Sequence, residues 1–309
     1  MRGQVLHLPS DQAETLRAFH RRKIAQKERQ SQSTDPVRVI SVTSGKGGVG
    51  KTFTVVNLAV ALAEQGNRVV IFDGDLGLAN VDVMVGVSPV WTIEHVLRGE
   101  RTLDEVVVEG PNGINIIPGG SGVAWLASLT PWQRQYLIDA VQESSLCPDY
   151  FLIDTPAGIG SEVLFLNAAS SEIVCVVSPE ITSLTDSYAL IKVLSAEYGE
   201  REINVIVNGV VDRGNGVEIE AKKVFHRLSS SLERFLHIRI SYWGCIPAEE
   251  LVRDSLESQR ALVTAFPSSP AARAVVRLAE RISKDARRLA VKGGLQFYFQ
   301  RLLEAGAGE

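Results

Sequence analysis

Eight consecutive residues, Gly45-Lys46-Gly47-Gly48-Val49-Gly50-Lys51-Thr52, carry the densest chemistry in the chain. They fit the pattern G-x-x-x-x-G-K-[ST], in which a glycine-rich backbone closes around an anion. Successive N–H groups and a helix N-terminus then point at phosphate oxygens. In that pattern the lysine, here Lys51, reaches the β- and γ-phosphates, and the hydroxyl, here Thr52, ligates Mg2+. The pattern means this only between a strand and a helix. Val37-Arg38-Val39-Ile40-Ser41-Val42 reads as a buried strand and Phe53 to Glu64 as a helix, so the required context is present. The expectation is a nucleotide held by the backbone from Gly45 to Phe53.

Two acidic segments extend the chemistry. Asp73-Gly74-Asp75 follows the apolar run Arg68-Val69-Val70-Ile71-Phe72, and Asp154-Thr155-Pro156-Ala157-Gly158 follows Tyr150-Phe151-Leu152-Ile153. One aspartate at a strand end is often a helix cap or a turn residue. Two of them, both after apolar strands in a chain with a phosphate loop, argue against a capping role alone, because ligands in wound sheets bind at the carboxyl ends of strands.

The elements that must position these groups are legible as apolar runs of strand length alternating with helical patterns from about 37 to 292. The strand runs fall at 37–43, 68–73, 114–118, 150–154, 172–178, 203–208 and about 238–246. Runs without polar alternation suit strands covered on both faces. The expected fold is α/β: a three-layer, doubly wound, mostly parallel sheet with helices on both faces. No linker rich in Pro, Gly or Ser interrupts the span and no repeat occurs in it, so 36–292 reads as one domain.

Bulk composition narrows the function classes. A chain of 309 residues with 45% hydrophobic and 22% charged residues can bury a full core. A net charge of −4 supplies no global attraction to nucleic acid or anionic lipid, so any such contact needs a local patch. Cys147, Cys175 and Cys245 are far apart with no C-x-x-C pair, which argues against a disulfide framework or a cysteine-held cluster. No apolar stretch approaches the ~20 residues that span a bilayer, and the N-terminus lacks the apolar core of a secretory signal. A cytoplasmic protein with reduced thiols is expected.

Two terminal segments stand apart. Residues 1–35 hold a short helical pattern, Asp11-Gln12-Ala13-Glu14-Thr15-Leu16-Arg17-Ala18-Phe19, then basic residues and the flexible-looking Gln30 to Pro36. On physics alone, a helix this short is marginal in water and reads as a solvated arm. Residues 293–309 open with Gly293-Gly294. Leu295, Tyr298, Phe299, Leu302 and Leu303 then follow the spacing of one helical face, with Lys284, Arg287, Arg288 and Lys292 upstream. Such a segment either lies on an anionic membrane or folds back on the domain or a partner; the glycine pair favours the membrane.

With its second lysine, the loop Lys46-Gly47-Gly48-Val49-Gly50-Lys51-Thr52 resembles the deviant phosphate loop K-G-G-x-G-K-[ST] of the MinD/ParA class of ATPases. From about 36 to 303 the chain resembles one branch of that class, the FlhG/FleN (YlxH-type) ATPases of flagellar number and placement. The resemblance rests on Asp75-Leu76-Gly77-Leu78-Ala79-Asn80-Val81-Asp82-Val83, on Thr185-Asp186-Ser187-Tyr188-Ala189-Leu190-Ile191-Lys192 and on the amphipathic tail. It also rests on Asp11-Gln12-Ala13-Glu14-Thr15-Leu16-Arg17, which matches the D-Q-A-x-x-L-R motif of the branch.

The resemblance implies ATP and Mg2+ as cofactors and a homodimer when ATP is bound, with Lys46 crossing to the partner's phosphates. Lys51 would neutralise charge, Asp75 would orient the attacking water, and Thr52, Asp73 and Asp154 would hold the metal or its water shell. Asn208 and Ile246-Pro247 match positions that hold adenine in relatives, although Gly209 stands where many of them carry a larger residue. Asp11, Gln12, Ala13, Leu16 and Arg17 would dock on an FlhF-type signal-recognition GTPase and complete its site. Leu295, Tyr298, Phe299, Leu302 and Leu303 would bind anionic lipids of the inner membrane, placing the ATP-bound protein peripherally on its cytoplasmic face. A flagellar transcription regulator and basal-body switch proteins are further partners that the branch implies.

Alternatives remain at this stage. A division-site MinD would share the loop and the tail but would not need Gln12, and a partition ParA would need a basic DNA-binding surface. Iron-protein relatives bridge a cluster with cysteines, and the stretch from 154 to 169 has none. A module that binds ATP but hardly hydrolyses it would leave Asp75 without a role.

Overall fold

A computed structural model describes residues 37–76, 79–120, 129–236 and 238–284. The Asp11–Arg17 motif, the Leu295–Leu303 face and both proposed segment boundaries (35/36 and 292/293) lie outside the described residues.

In chain order the strands are β1 (Arg38–Thr43), β2 (Val69–Asp73), β3 (Val108–Glu109), β4 (Asn115–Ile117), β5 (Tyr150–Asp154), β6 (Glu172–Val177), β7 (Glu202–Val210) and β8 (Arg239–Pro247). The helices are α1 (Lys51–Glu64), α2 (Val81–Val85), α3 (Ile93–Leu97), α4 (Leu103–Val106), α5 (Pro131–Glu143), α6 (Ser161–Ala169), α7 (Ile181–Tyr198), α8 (Val217–Phe235), α9 (Glu250–Glu257), α10 (Leu262–Ala265) and α11 (Pro270–Lys284).

The strands form one sheet in the order β3-β4-β2-β5-β1-β6-β7-β8, parallel throughout except for β3. Every residue of β1, β2, β5 and β6 is buried, as continuous apolar runs in a two-sided sheet require. Alternate residues serve opposite layers. Ile40, Val42, Ile71, Leu152 and Val174 pack beneath α1 and α11. Val39, Val70 and Phe151 meet α3–α5 on the other face, and Ile173, Cys175 and Val205 meet α6–α8 there.

The sequence reading of the fold class holds, with one omission. The two-residue β3 pairs antiparallel with β4 through Val108↔Ile116 and is too short to give a periodic signal. The β2/β5 register sets Asp73 beside Asp154, and the β1/β5 register sets Val42 beside Asp154. Both aspartates therefore reach the carboxyl edge next to the turn that follows β1. Among the described residues no helix is long and apolar enough to cross a membrane.

Candidate active site

The loop between β1 and α1 is shaped by close approaches. Gly50 is left-handed (φ 90°), and a Cβ there would lie 2.2 Å from Asn208 Nδ2. Gly45 lies against the backbone of α7, where a Cβ would come within 2.1 Å of the Asp186 carbonyl carbon. Neither position can carry a side chain without moving its neighbour. The loop delivers the chain into α1, whose first-turn N–H groups have no intrahelical partners and face the anion site. Phe53, placed among the nucleotide contacts by its position, buries its ring in the core, so only its backbone is available to a ligand.

At the floor, Thr52 Oγ1 donates to Asp154 Oδ2 at 2.6 Å. The other oxygen, Asp154 Oδ1, is buried and has no partner among the described residues. Burial pushes the Asp154 carboxyl up to about 6, against the opposing pull of the Thr52 hydrogen bond and the Lys51 charge. The Lys51 ammonium is itself lowered by burial, while the charges of Asp154 and Asp75 favour its protonated form. Lys51, Thr52, Asp75 and Asp154 thus share one electrostatic neighbourhood.

Asp73 has a second role that capping chemistry explains. Its Oδ2 accepts the N–H groups of Asn80 and Val81, both at 3.0 Å, and its Oδ1 accepts that of Asp75 at 3.2 Å. It therefore ties the segment carrying Asp75 to the strand end and anchors the start of α2. Burial, and then the Asp154 charge, push the Asp73 carboxyl up to about 8, while its two backbone donors at Asn80 and Val81 pull the other way.

A cation fits this donor set. The Thr52 hydroxyl and the Asp154 carboxylate with its orphaned buried oxygen are hard oxygen ligands, which suit Mg2+ rather than a thiophilic metal. The orphan matters most: a buried, desolvated carboxylate oxygen is costly unless something binds it.

Lys46 stands apart from this group. Its Nζ pairs with Glu180 Oε2 at 2.7 Å and with Thr182 Oγ1 at 3.0 Å, both at the start of α7 on its own chain. Asn208 also differs from the simple expectation of a base contact, because its Nδ2 donates to Val49 O at 2.8 Å and buttresses the loop from beneath. Pro247 ends β8 in register with Val210, two residues beyond Asn208. A cleft of about 400 Å³ runs from Lys46 and Gly48 past Asn208 and Gly209 to Arg213 and Arg227. Glu180, Thr182 and the buttressing by Asn208 were invisible in the sequence, since contacts between residues more than a hundred apart leave no local pattern.

The family model described as "ParA: NUBPL iron-transfer P-loop NTPase" matches residues 36–283. The antiactivator FleN of Pseudomonas aeruginosa is 40% identical over 276 residues, which are 89% of this chain and 97% of that protein. The flagellum site-determining protein YlxH of Helicobacter pylori is 33% identical over 86% of this chain and 90% of its own length. Among solved structures, the septum site-determining protein MinD from Pyrococcus horikoshii, complexed with Mg-ADP, is 28% identical. It superposes with a TM-score of 0.64, covering 82% of this chain and all of that one. Of the three free cysteines, Cys175 is buried within β6, and no group of three or more His, Cys, Asp or Glu side chains is placed to hold a metal ion among the described residues.

Proposed function

The chain belongs to the MinD/ParA class of P-loop ATPases, in its FlhG/FleN (YlxH-type) branch, and on that premise we propose that it is a slow, dimer-activated, Mg2+-dependent ATPase that regulates flagellar number and placement. The observation that carries the catalytic reading is the Thr52–Asp154 pair with its orphaned Oδ1, set beside Lys51 and Asp75.

Phosphoryl transfer to water needs positioning and charge neutralisation rather than covalent chemistry. Thr52 and Asp154 would hold Mg2+, directly or through its water shell, with Asp73 fixing the neighbouring segment. When bound, the ion supplies positive charge against the β- and γ-phosphates. Lys51 adds a second charge at the same oxygens. Asp75, steered by the bond from its N–H to Asp73, orients the attacking water. Asn208, Gly209 and Pro247 border the space for the adenine.

The dimer enters through Lys46. In the single chain its ammonium is held by Glu180 and Thr182, away from the Lys51 cluster. In the proposed ATP-bound homodimer it leaves them for the partner's phosphates. The exposed apolar side chains of Ile159, Ile181 and Val211 lie on segments that flank the loop, and they suit coverage by a second copy. Dimerisation then frees the 295–303 face for anionic lipid on the inner surface of the cytoplasmic membrane. Two short helices give an avidity that one lacks. Hydrolysis reverses both steps.

The N-terminal segment gives the flagellar reading its partner: Gln12, carried by Asp11, Ala13, Leu16 and Arg17, stimulates an FlhF-type GTPase by orienting water from outside its site. A transcription regulator and basal-body switch proteins are the further partners of this reading. The test is GTP hydrolysis by the cognate FlhF-type GTPase with the intact chain, with a chain lacking residues 1–35 and with Gln12→Ala. Stimulation lost in both variants supports the reading. An intact chain that does not stimulate overturns it, and leaves a MinD-like ATPase with another partner.

A further inference from the structure

Ser44 immediately precedes the phosphate loop and is fully buried, yet it contributes no atom to the nucleotide contacts proposed above. Two of its polar groups are engaged. Its carbonyl accepts the N–H of Gly158 at 3.0 Å, and its hydroxyl donates to the Lys46 carbonyl at 2.6 Å. Gly158 belongs to the segment that leads from Asp154 into α6. One small residue, through its main-chain carbonyl on one side and its hydroxyl on the other, therefore joins the segment behind the proposed metal carboxylate to the peptide that carries Lys46.

The contacts around it leave that connection little slack. Upstream, the Thr155 N–H and Oγ1 both bond the Val42 carbonyl, at 3.2 and 3.0 Å. Beneath the same segment, Asn167 on α6 accepts from Ser41 Oγ at 2.8 Å and donates to Thr43 Oγ1 at 3.1 Å. Val42, Thr43 and Ser44 are thus laced to the 155–167 stretch. On the far side, Gly45 rests on the Asp186 backbone, and Glu180 and Thr182 of the same helix hold the Lys46 ammonium. The Lys46 carbonyl is the point at which the two halves meet, and the Ser44 hydroxyl fixes it.

We infer that Ser44 is a positioning residue for hydrolysis: it sets the Lys46 peptide by the state of the Asp154–Gly158 segment, so that the lysine is presented only when that segment is in place. The inference rests on the ATPase reading, and it acts through Lys46 rather than by touching the nucleotide. A neutral hydrogen bond of this kind that matters only in the transition state is worth about three- to tenfold in rate.

The experiment compares the full chain with Ser44→Ala, which deletes the hydroxyl, and Ser44→Cys, which keeps the volume but donates only weakly. ATP turnover and the Kd for ADP are measured alongside residue-level amide hydrogen exchange. Both variants are expected to lose about three- to tenfold in kcat, with KM for ATP and the ADP affinity unchanged. Exchange should quicken at 45–50 and at Gly158 and stay at the wild-type rate in β5 and β6. Uniformly faster exchange across β1, β5 and β6 would show a general packing role and overturn the inference. So would unchanged kcat and exchange in Ser44→Ala, or a Ser44→Cys variant that matches wild type in both. Should the wild-type chain release no phosphate from ATP, the ATPase reading fails. The exchange pattern then still decides whether Ser44 links the two segments.

Discussion

The two ends of the β1/β5/β6 core bury charge in opposite ways. At the amino end, Arg38 lies between the start of β1, the start of β6 and the end of α11. Its Nε and Nη2 bond both Glu172 oxygens at 2.8 Å, its Nη1 bonds the Ile282 carbonyl, and its guanidinium lies 5.5 Å from the Tyr150 ring centroid. Each charged atom has a partner. At the carboxyl end, Asp154 is just as buried but keeps one oxygen empty-handed, and its carboxyl and that of Asp73 are pushed up to about 6 and about 8. A satisfied buried pair is complete within the fold; an unsatisfied buried oxygen is open to a ligand. The groove of about 740 Å³ at Arg68, Asp104 and Cys147 lies on the amino side of the sheet, away from these carboxylates.

Substitutions at the two ends should separate stability from activity. The largest expected effect is at the amino end, where Arg38→Met leaves Glu172 buried and unpaired. Chemical denaturation should show a loss of about 3–5 kcal/mol, most of it recovered in the Arg38→Met/Glu172→Met double variant. ADP affinity, measured at a temperature where the variants stay folded, should not change. Asp154→Asn should do the reverse. It removes a desolvated charge, so the melting temperature should hold or rise, while ATP turnover falls about 10²–10³-fold. A variant at either end that alters both properties equally would blur the distinction.

Ligand addition sharpens the same comparison. Mg-ADP at 100 times its Kd should stabilise the wild-type chain by about 2.7 kcal/mol. Asp154→Asn should lose most of the part of that gain that depends on Mg2+, whereas the Arg38/Glu172 double variant should keep all of it. The smallest effect is expected at the exposed Lys46–Glu180 pair. Glu180→Gln should leave the melting temperature unchanged, because solvent-exposed pairs contribute little. It should nevertheless raise the dimer fraction in ATP, read by light scattering, because Lys46 loses its ion pair and is held less firmly on its own chain.

The carboxyl end was largely legible in the sequence, and the amino end was not. The loop, Asp73, Asp75 and Asp154 follow apolar runs that mark strands, and the strand-end rule places them together. Arg38–Glu172 and Lys46–Glu180 are each separated by 134 residues. Both depend on β6 lying beside β1, and strand order leaves no trace in local periodicity. Asn208 shows a subtler limit. Its position fits the end of β7, but its amide turns under the loop to Val49, a choice made by the close approach at Gly50 rather than by any pattern in the sequence. Asp73 was legible as a strand-end acid, but its three backbone donors, which make it the anchor of Asp75, Asn80 and Val81, were not.

In the proposed function, the carboxyl end of the sheet binds and hydrolyses ATP with Mg2+. Phosphate release from ATP by the intact chain, with Mg2+ and with the ion chelated, and with Lys51→Ala as the control, tests it most directly. Slow release that depends on Mg2+ and disappears in Lys51→Ala is the expected result. Release that persists without Mg2+, or that never exceeds the Lys51→Ala control, would contradict it.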